Sequence, residues 1–470
     1  MPPLLCIIKF IKLKIEKMKT KNVLLITAIM VGLGSVLTSC SKEEGCTDVT
    51  AENFNVEAEK DDGSCTYRLD VTVPPVGGGK TITVSDNTGT TTWQKENVYL
   101  LDGFVFVNSG DILTIEAGTV VKGKSGTGAN AAALIVAKGA KINACGTATN
   151  PIIFTFEADP LDGSVGMTTT GQWGGLILLG DAQLNTVPTV QNIEGIPTSE
   201  PRGAYGGAND NDNSGTLCYV SIRHGGTDIG AGNEINGLTL GGVGAGTTIH
   251  HIEVVANADD GIEFFGGTPN LKHILVSNVL DDSYDYDQGF RGKGQFWVAI
   301  ENANSDRGGE HDGGTSPEDG LPYATPMLYN NTYIGNGSSR AITFRDNAGG
   351  EYHNTVFHNF GKGIDIEDLA SGEDSKARLD AGDLKLAGVV LSAIGANNIV
   401  DNNGTDLSGH ANVTNISTAS AGITAANPIP SSTLGTGVAS GDAWYDNVTY
   451  MGAFDVNGAN WAQGWTLTFQ

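Results

Sequence analysis

The chain has 470 residues and a formal net charge of −26, so its surface is strongly acidic. Because such a surface repels phosphate, nucleic acid is excluded as the expected partner. Glycine accounts for 66 residues, about twice its ordinary frequency. Since glycine, asparagine and aspartate accept positive φ angles, this composition favours many short strands joined by tight turns.

The first forty residues predict export from the cell. A basic stretch at residues 18–21 precedes an apolar run at residues 23–36, and small residues lead to Cys40. This order resembles a bacterial lipoprotein signal. The resemblance implies that residues 1–39 are a leader starting at Met18, and that a lipid on Cys40 anchors the mature protein in the outer membrane.

The next segment, residues 40–70, is interpreted as a lipid anchor, an acidic tether and a small module bracketed by cysteines. Its residues 41–44 resemble the export tag of Bacteroidetes lipoproteins, which implies display on the cell exterior; a plain charged linker is the alternative. Because exported proteins fold in an oxidising compartment, Cys46 and Cys65 are expected to form a disulfide.

Two further cysteines, Cys145 and Cys218, lie in strand-like segments far apart in the chain. Isolated cysteines in such segments are usually packed inside, so both are expected to be buried free thiols. The spacing of cysteines and histidines typical of a zinc site does not occur in the sequence.

Residues 71–470 are predicted to form one repetitive domain. Residues 250–254 recur as residues 272–276, and residues 259–264 recur as residues 281–286, both after 22 positions. Two sequence segments that recur at the same interval indicate a solenoid, and a period near 22 residues is too short for a repeat made of two helices. The period predicts an all-β chain folded as a right-handed parallel β-helix, with about three short strands in each coil.

Successive coils are expected to stack at strand spacing, about 4.8 Å, so that their inward side chains form apolar ladders. The period of 22 places Phe264 on Tyr286 in such a ladder. Further along, residues 331–334 align with residues 354–357 after 23 positions. The stacking of neighbours is expected to provide most of the stability, because no coil can bury its apolar face alone.

Three departures from the repeat are predicted. The regular pattern begins near Val98 and is interrupted by a turn-rich insertion at residues 185–215. Residues 379–394 are expected to hold a short amphipathic helix. The tail from Trp444 to Trp465 concentrates aromatic residues, and it is interpreted as a C-terminal cap because the last coil of a solenoid must be covered.

Several phrases in the domain carry a resemblance to a known family. They are residues 172–176, 219–226, 234–240, 259–267 and 281–287. Together they resemble a family of Bacteroidetes and Flavobacteria surface lipoproteins with a right-handed parallel β-helix. The resemblance implies a fold and a location, and it implies no activity.

The best candidate site is a stack of carboxylates. By the period of 22, Glu263 lies against Asp285 on the next coil. The candidate metal ligands are Asp259, Asp260, Glu263, Asp281, Asp282, Asp285 and Asp287. Like charges about 5 Å apart repel unless a cation or a proton lies between them, and calcium accepts six to eight oxygen ligands in flexible geometry. Calcium is therefore a candidate cofactor; the alternative, at least as well favoured, is that the aspartates cap turns through Asx hydrogen bonds while Glu263 and Asp285 are solvated.

A second group of residues has the chemistry of a polysaccharide lyase. Arg223, His251, Arg291 and His311 are the candidate catalytic residues. In a lyase a base removes the proton α to a uronate carboxyl, and an arginine or a cation stabilises the resulting anion. This hypothesis requires the four side chains to converge in one groove beside the carboxylates. Stacked histidines are otherwise typical of hydrogen-bonded turns.

The favoured function is non-catalytic. We expect an outer-membrane lipoprotein that binds a glycan or a cell-envelope partner through one flank of the β-helix. The alternatives are a lyase or hydrolase that acts on an acidic polysaccharide, and a purely structural envelope protein. These three hypotheses differ in what the flank must contain: a binding groove, a groove with converging catalytic groups, or no groove.

Overall fold

The structure, a computed structural model, describes residues 79–229 and 235–470, together with Gly45, Ala58 and Lys60. The chain divides into two compact units, Met1–Arg68 and Leu69–Gln470. The predicted lipidation site Cys40 and the predicted disulfide between Cys46 and Cys65 lie outside the described residues. Among the residues that are described, no helix has the length and apolar character needed to cross a membrane.

The second unit is an all-β parallel β-helix. Its strands are β1 (Thr81–Asn87), β2 (Thr91–Trp93), β3 (Val98–Val107), β4 (Ile112–Ile115), β5 (Val120–Gly123), β6 (Ala133–Val136), β7 (Lys141–Cys145), β8 (Ile152–Phe156), β9 (Leu176–Leu179), β10 (Gln191–Asn192), β11 (Ala204–Tyr205), β12 (Gly215–Arg223), β13 (Leu238–Gly241), β14 (Thr248–Val255), β15 (Ile262–Phe265), β16 (Asn270–Ser277), β17 (Tyr284–Asp287), β18 (Lys293–Ile300), β19 (Glu310–Asp312), β20 (Met327–Tyr329), β21 (Thr332–Ile334), β22 (Arg340–Arg345), β23 (Gly350–His358), β24 (Lys362–Ile366), β25 (Leu384–Ser392), β26 (Ala396–Asp401) and β27 (Val413–Ser417). One short helix, α1 (Ser375–Ala381), interrupts them. All strands except β10 and β11 belong to one parallel hydrogen-bonded sheet that winds through the coils.

Each coil presents three faces. Long strands such as β12, β14, β16 and β18 bend halfway, so their first halves build sheet A and their second halves build sheet B. Sheet C contains β6, β9, β13, β15, β17, β19, β22, β24 and β26. The bend between sheets A and B lies at one residue with positive φ, for example Tyr219 at 48°, His251 at 52° and His273 at 56°. We call this edge the A/B corner.

The predicted register is confirmed in the central coils and is wrong by one residue for residues 331–334 and 354–357. Phe264 pairs with Tyr286, and both side chains are buried inside the coil. By contrast Thr332 pairs with Val356, a spacing of 24 and not 23. Asn330 and Asn354 are the corner residues with positive φ. The predicted alignment places Asn354 opposite Asn331, one residue too far along the chain.

Two other local predictions are corrected. The first coil begins at Thr81, before the predicted start at Val98. Strand β1 gave a weak signal because it is largely exposed and has only two apolar residues, Ile82 and Val84. The helix predicted within residues 379–394 is α1, whose N-cap is Asp374; it ends at Gly382, which has a φ of 83°. The apolar residues that follow belong to strand β25, where stacking against β23 outweighs helical periodicity.

Cys145 and Cys218 form a disulfide, so the prediction of free thiols is wrong. The two cysteines are register partners on β7 and β12, and their Cα atoms are 4.5 Å apart. The contact could not be predicted from the sequence because 73 residues separate the two cysteines. Over that stretch the chain completes one coil, forms the insertion and only then returns to the same edge of the β-helix. The bond therefore links two stacked coils.

The C-terminal tail does not close the end of the solenoid, which corrects the predicted cap. After β27 the chain turns back and runs along the outer face of sheet B and the A/B corner. Val438 contacts Asn354, Asp446 contacts Gln295, and Thr468 contacts Glu253, in order from later to earlier coils. We call residues 438–470 the strap. Its apolar side chains cover outward residues of sheet B that a bare coil would leave exposed.

Candidate functional site

The four predicted catalytic residues lie in four separate places, so the structure does not bring them together. Arg223 ends the sheet B part of β12, and Arg291 lies at the turn from sheet C to sheet A. The Nη2 atom of Arg291 donates to both carboxylate oxygens of Asp210, at 2.9 and 3.0 Å. His251 stands at the A/B corner and His311 points into the coil. The convergence of these four residues in one groove, which the lyase hypothesis requires, is not observed.

His311 is a core residue and cannot reach a substrate. It is 1% exposed and stacks on Tyr286 with ring centroids 4.1 Å apart. Its Nε2 atom lies 2.6 Å from the hydroxyl oxygen of Tyr352. Burial lowers the pKa of His311 to about 3, which keeps the imidazole neutral. Its partners satisfy a buried polar group, which is a structural role.

His251 belongs to an aromatic stack under the strap. The ring centroid of His251 lies 4.3 Å from that of Tyr219 and 4.4 Å from that of His273. Trp461 and Trp465 of the strap pack against this stack. The sequence contained a signal for this aromatic stack, because aromatic residues recur at the same position of successive coils. The corner therefore acts in packing and not in proton transfer.

Acid is expected to weaken the strap through these histidines. Burial, followed by the charges of His273 and His250, lowers the pKa of His251 to about 3. Burial, followed by the charges of Lys272 and His250, lowers the pKa of His273 to about 4. The unfolded chain takes up protons near pH 6.5, so this contribution to stability is complete above that pH and is lost as the pH falls toward 4. At about 1.4 kcal/mol per pKa unit, the loss is several kcal/mol.

Denaturant unfolding between pH 7 and 4 measures this loss. The double variant H251Y/H273F continues the aromatic stack with rings that do not titrate in this range. Its free energy of unfolding should therefore fall less with pH than that of the wild type. The difference between the two proteins isolates the histidines from the buried acids, whose raised pKa values act in the opposite direction. Identical pH profiles would rule out the histidines as the source.

Two buried carboxylates and one half-buried carboxylate form the core of the predicted acidic site. Glu263 and Asp285 are register partners on β15 and β17 of sheet C, and Asp260 lies in the turn before β15. Each offers an oxygen atom, and these atoms lie within 4.8 Å of one another. Asp260 is 7% exposed and Glu263 is 9% exposed. We call this set the carboxylate triad.

The triad has few hydrogen-bond partners and no close cation. Asn236 donates its amide to the Oε2 atom of Glu263 at 2.5 Å, and the backbone N–H of Asp282 donates to the Oδ1 atom of Asp260 at 2.9 Å. The Oδ1 atom of Asp285 is buried and has no partner. In the described ranges no lysine or arginine forms an ion pair with these three groups. Burial, and then the charges of neighbouring carboxylates, raises all three pKa values well above normal.

The other predicted ligands surround the triad without joining it. Asp259 and Asp281 form a second cluster with Asp260, with oxygen atoms again within 4.8 Å. Asp282 faces Arg307, whose Nη1 atom is 3.4 Å from its Oδ2 atom. The seven acids thus divide into subsites. Asp260 accepts a hydrogen bond from the backbone amide of Asp282 on the next coil, which differs from the local Asx hydrogen bond of the turn-capping alternative.

Asp287 faces a separate environment. It accepts hydrogen bonds from the backbone of Gln288 at 2.5 Å and from the hydroxyl of Thr315 at 2.9 Å. Burial raises its pKa to about 6. Asp287 lies one residue past the inward Tyr286, so it is an outward residue near the triad but not a member of it.

Sequence reasoning missed the next members of the acidic column. Glu310 pairs with Asp285, but its spacing of 25 residues breaks the period because the preceding turn is longer. Arg345 contacts Glu310 at 2.8 Å and Asp312 at 2.6 Å, and Arg307 contacts Glu310 at 2.8 Å. In this coil Glu310 and Asp312 are paired with arginines, whereas no described lysine or arginine forms an ion pair with the triad.

A groove of about 760 Å³ lies on sheet C, where its lining residues Phe265 and Asp287 stand two positions after Glu263 and Asp285 on the same strands. The insertion forms one wall with residues 186–198, and Phe265 and Asp287 lie on the floor. Tyr205 donates its hydroxyl to Gln288 at 2.8 Å and so links the insertion to the sheet. Glu194 of this wall is close enough for its charge to add to the raised pKa of Glu263.

The fold and the groove define a parallel β-helix protein with a ligand-sized cleft on one flank. The model of the pectate-lyase-like β-helix domain family matches residues 84–466, and the chain belongs to that family. Searches of curated proteins and of solved structures found no significant match.

Proposed function

We propose that the protein binds a polysaccharide in the groove on sheet C, with a divalent cation held by the carboxylate triad. The observation that carries this proposal is the triad itself, two buried carboxylates and one half-buried carboxylate that form no ion pair with a described lysine or arginine and lie near an open groove. Buried charges must be paired or neutralised, so the triad takes up either protons or a cation. The family supports a ligand of the polysaccharide class.

Calcium fits the donor set. Carboxylate oxygens are its usual ligands, and it tolerates irregular geometry with up to eight oxygens. The unpartnered Oδ1 atom of Asp285 is a free acceptor inside the cluster. When bound, the cation would supply positive charge that can contact an acidic or hydroxyl group of a glycan. The residues that would hold it are Asp260, Glu263 and Asp285.

Calcium is expected to stabilise the folded protein, and thermal unfolding with calcium and with a chelator measures this. At one hundred times the Kd, the gain is about 2.7 kcal/mol. The double variant E263Q/D285N should lose the calcium effect, and without calcium it should melt a few degrees above the wild type because the repulsion is removed. Asp365→Asn is the matched control, since this acid of sheet C is already paired with Arg340 at 3.5 Å.

Polysaccharide binding is tested in the same set of proteins. Affinity electrophoresis with acidic and neutral polysaccharides should show retardation that depends on calcium. Asn192→Trp places a large ring at the exposed wall of the groove and should abolish the retardation without changing the calcium effect. A protein that neither responds to calcium nor binds any glycan would contradict the proposal.

Polysaccharide cleavage is the second candidate function. It is favoured by the family and by Asp287 in the groove, whose pKa of about 6 suits a general acid near neutral pH. A hydrolase would release reducing ends, and a lyase would release unsaturated sugars that absorb in the ultraviolet. Either product, lost in Asp287→Asn, would replace binding by cleavage as the function of the groove.

Display at the outer membrane through a lipid on Cys40 stays a proposal based on the sequence. The signal-like residues 18–40 and the tag-like residues 41–44 support it. The mass of the mature N-terminus would test it, because lipidation adds acyl chains to the cysteine. In that location the groove would meet extracellular polysaccharide.

A further inference from the structure

We propose that a second pocket, lined by Arg223, binds a small sugar acid. The pocket has a volume of about 270 Å³ and lies where the end of the sheet B part of β12 meets the strap. The loop at residues 159–165 forms one wall, and residues 464–467 form another. The groove proposed above lies on sheet C, so this inference does not rest on the proposed function.

Arg223 presents unused hydrogen-bond donors to this pocket. The residue is 5% exposed, and its Nε atom donates to the hydroxyl of Ser221 at 2.8 Å. Over residues 79–229 and 235–470, no protein group forms a hydrogen bond or an ion pair with its two terminal amino groups. Every other arginine in those ranges has an ion pair. A buried guanidinium with free amino groups is suited to bidentate binding of a carboxylate.

The nearby acids do not occupy these donors. Glu253 accepts hydrogen bonds from Ser221 and from the strap. Asp159 accepts from Thr155 at 2.7 Å and from the backbone of Leu161 at 2.8 Å. Their charges partly balance the buried positive charge at longer range, which lets Arg223 stay charged inside the protein. The positive charge of the guanidinium is therefore balanced, while its terminal amino groups stay available to a ligand.

The remaining lining groups select a polyhydroxy acid over a simple anion. The Nδ1 atom of His224 lies 2.7 Å from the carbonyl oxygen of Thr169; since a carbonyl only accepts, Nδ1 carries the hydrogen. Burial lowers the pKa of His224, so its Nε2 atom is an acceptor. Asp159 is a second acceptor on the wall. Two acceptors opposite a guanidinium suit hydroxyl groups on a ligand that also carries a carboxylate.

The size of the pocket limits the ligand. A volume of about 270 Å³ is just below the roughly 300 Å³ at which small-molecule sites begin. Trp465 supplies an apolar surface on the strap side. A single sugar ring fits this space better than an oligosaccharide. We therefore infer a monosaccharide acid, either free or at the end of a longer glycan.

Calorimetric titration of the full chain with glucuronate tests the inference. Glucose, which lacks the carboxylate, should bind at least ten times more weakly. Arg223→Gln should weaken glucuronate binding at least tenfold, whereas Arg291→Gln, which removes an arginine already paired with Asp210, should leave it unchanged. The variant E263Q/D285N should also bind normally, which separates this pocket from the groove. A disaccharide ending in glucuronate distinguishes a free acid from a chain end.

A second variant covers the case in which Arg223→Gln does not fold. Val165 is a partly buried wall residue of the pocket, and the larger side chain of Val165→Trp is expected to fill it. Its melting temperature should stay near that of the wild type while glucuronate binding is lost. Failure of the wild type to bind glucuronate, or equal binding by the filled variant, would overturn the inference.

Discussion

Replacing Glu253 with alanine is expected to destabilise the protein by about 3–5 kcal/mol and to detach the end of the strap. Glu253 is fully buried and is the point where the strap joins sheet B. Its carboxylate accepts from the backbone of Leu467 at 2.8 Å, from the backbone of Thr468 at 2.9 Å and from the hydroxyl of Thr468 at 2.8 Å. The hydroxyl of Ser221 donates to the same group at 2.5 Å. Alanine leaves all these donors without an acceptor.

Denaturant unfolding measures the energy, and hydrogen exchange of residues 461–470 measures the detachment. Glu253→Gln should lower the stability by an intermediate amount. The oxygen of its amide still accepts hydrogen bonds, but its NH₂ group is a donor placed against other donors. Glu116→Ala, at an exposed position, is the control for removing a negative charge. Slow exchange in the strap of the alanine variant would show that the apolar contacts hold it without Glu253.

Loss of the disulfide between Cys145 and Cys218 is expected to have an effect of similar size. In the chain-entropy treatment, a bond that closes a loop over 73 residues stabilises the folded state by about 4 kcal/mol. The loop contains β8, β9 and the whole insertion, so the bond restricts the unfolded chain over the segment that builds a wall of the groove. The variant C145S/C218S should therefore unfold at lower denaturant concentration.

Unfolding with and without reductant separates this bond from other cysteines. The wild type should lose stability on reduction, and C145S/C218S should already be at the lower value. Any further loss in the reduced variant belongs to cysteines elsewhere in the chain. Equal midpoints for the oxidised wild type and the variant would contradict the prediction.

The sequence predicted the central coils well because their turns have equal length. From β14 to β17 each coil takes 22 residues, so stacked residues such as Glu263 and Asp285 recur at one spacing. The turn before β19 is longer, and from there period counting fails to place Glu310. The disulfide and the strap could not be predicted, because both depend on contacts between segments that share no repeat.

The candidate site could be predicted only as a collection of acids. The period placed carboxylates on one face, but which of them are paired depends on arginines supplied by other coils, such as Arg307 beside Asp282. The roles of Arg223 and His311 could not be predicted without knowing which face of its strand each side chain occupies. His311 follows Tyr286 in register and so faces the core, a deduction that required the true length of the intervening turn.

The strap changes how the solenoid as a whole can lose its structure. In a stack where each coil touches only its neighbours, unfolding can start at an end and advance one coil at a time. The strap bonds Asn354 on β23 and Glu253 on β14, so separating any coil between them also strains contacts with distant coils. The middle of the protein should therefore behave as one cooperative block. Coils before β7, which neither the strap nor the disulfide between Cys145 and Cys218 crosses, should fray more readily.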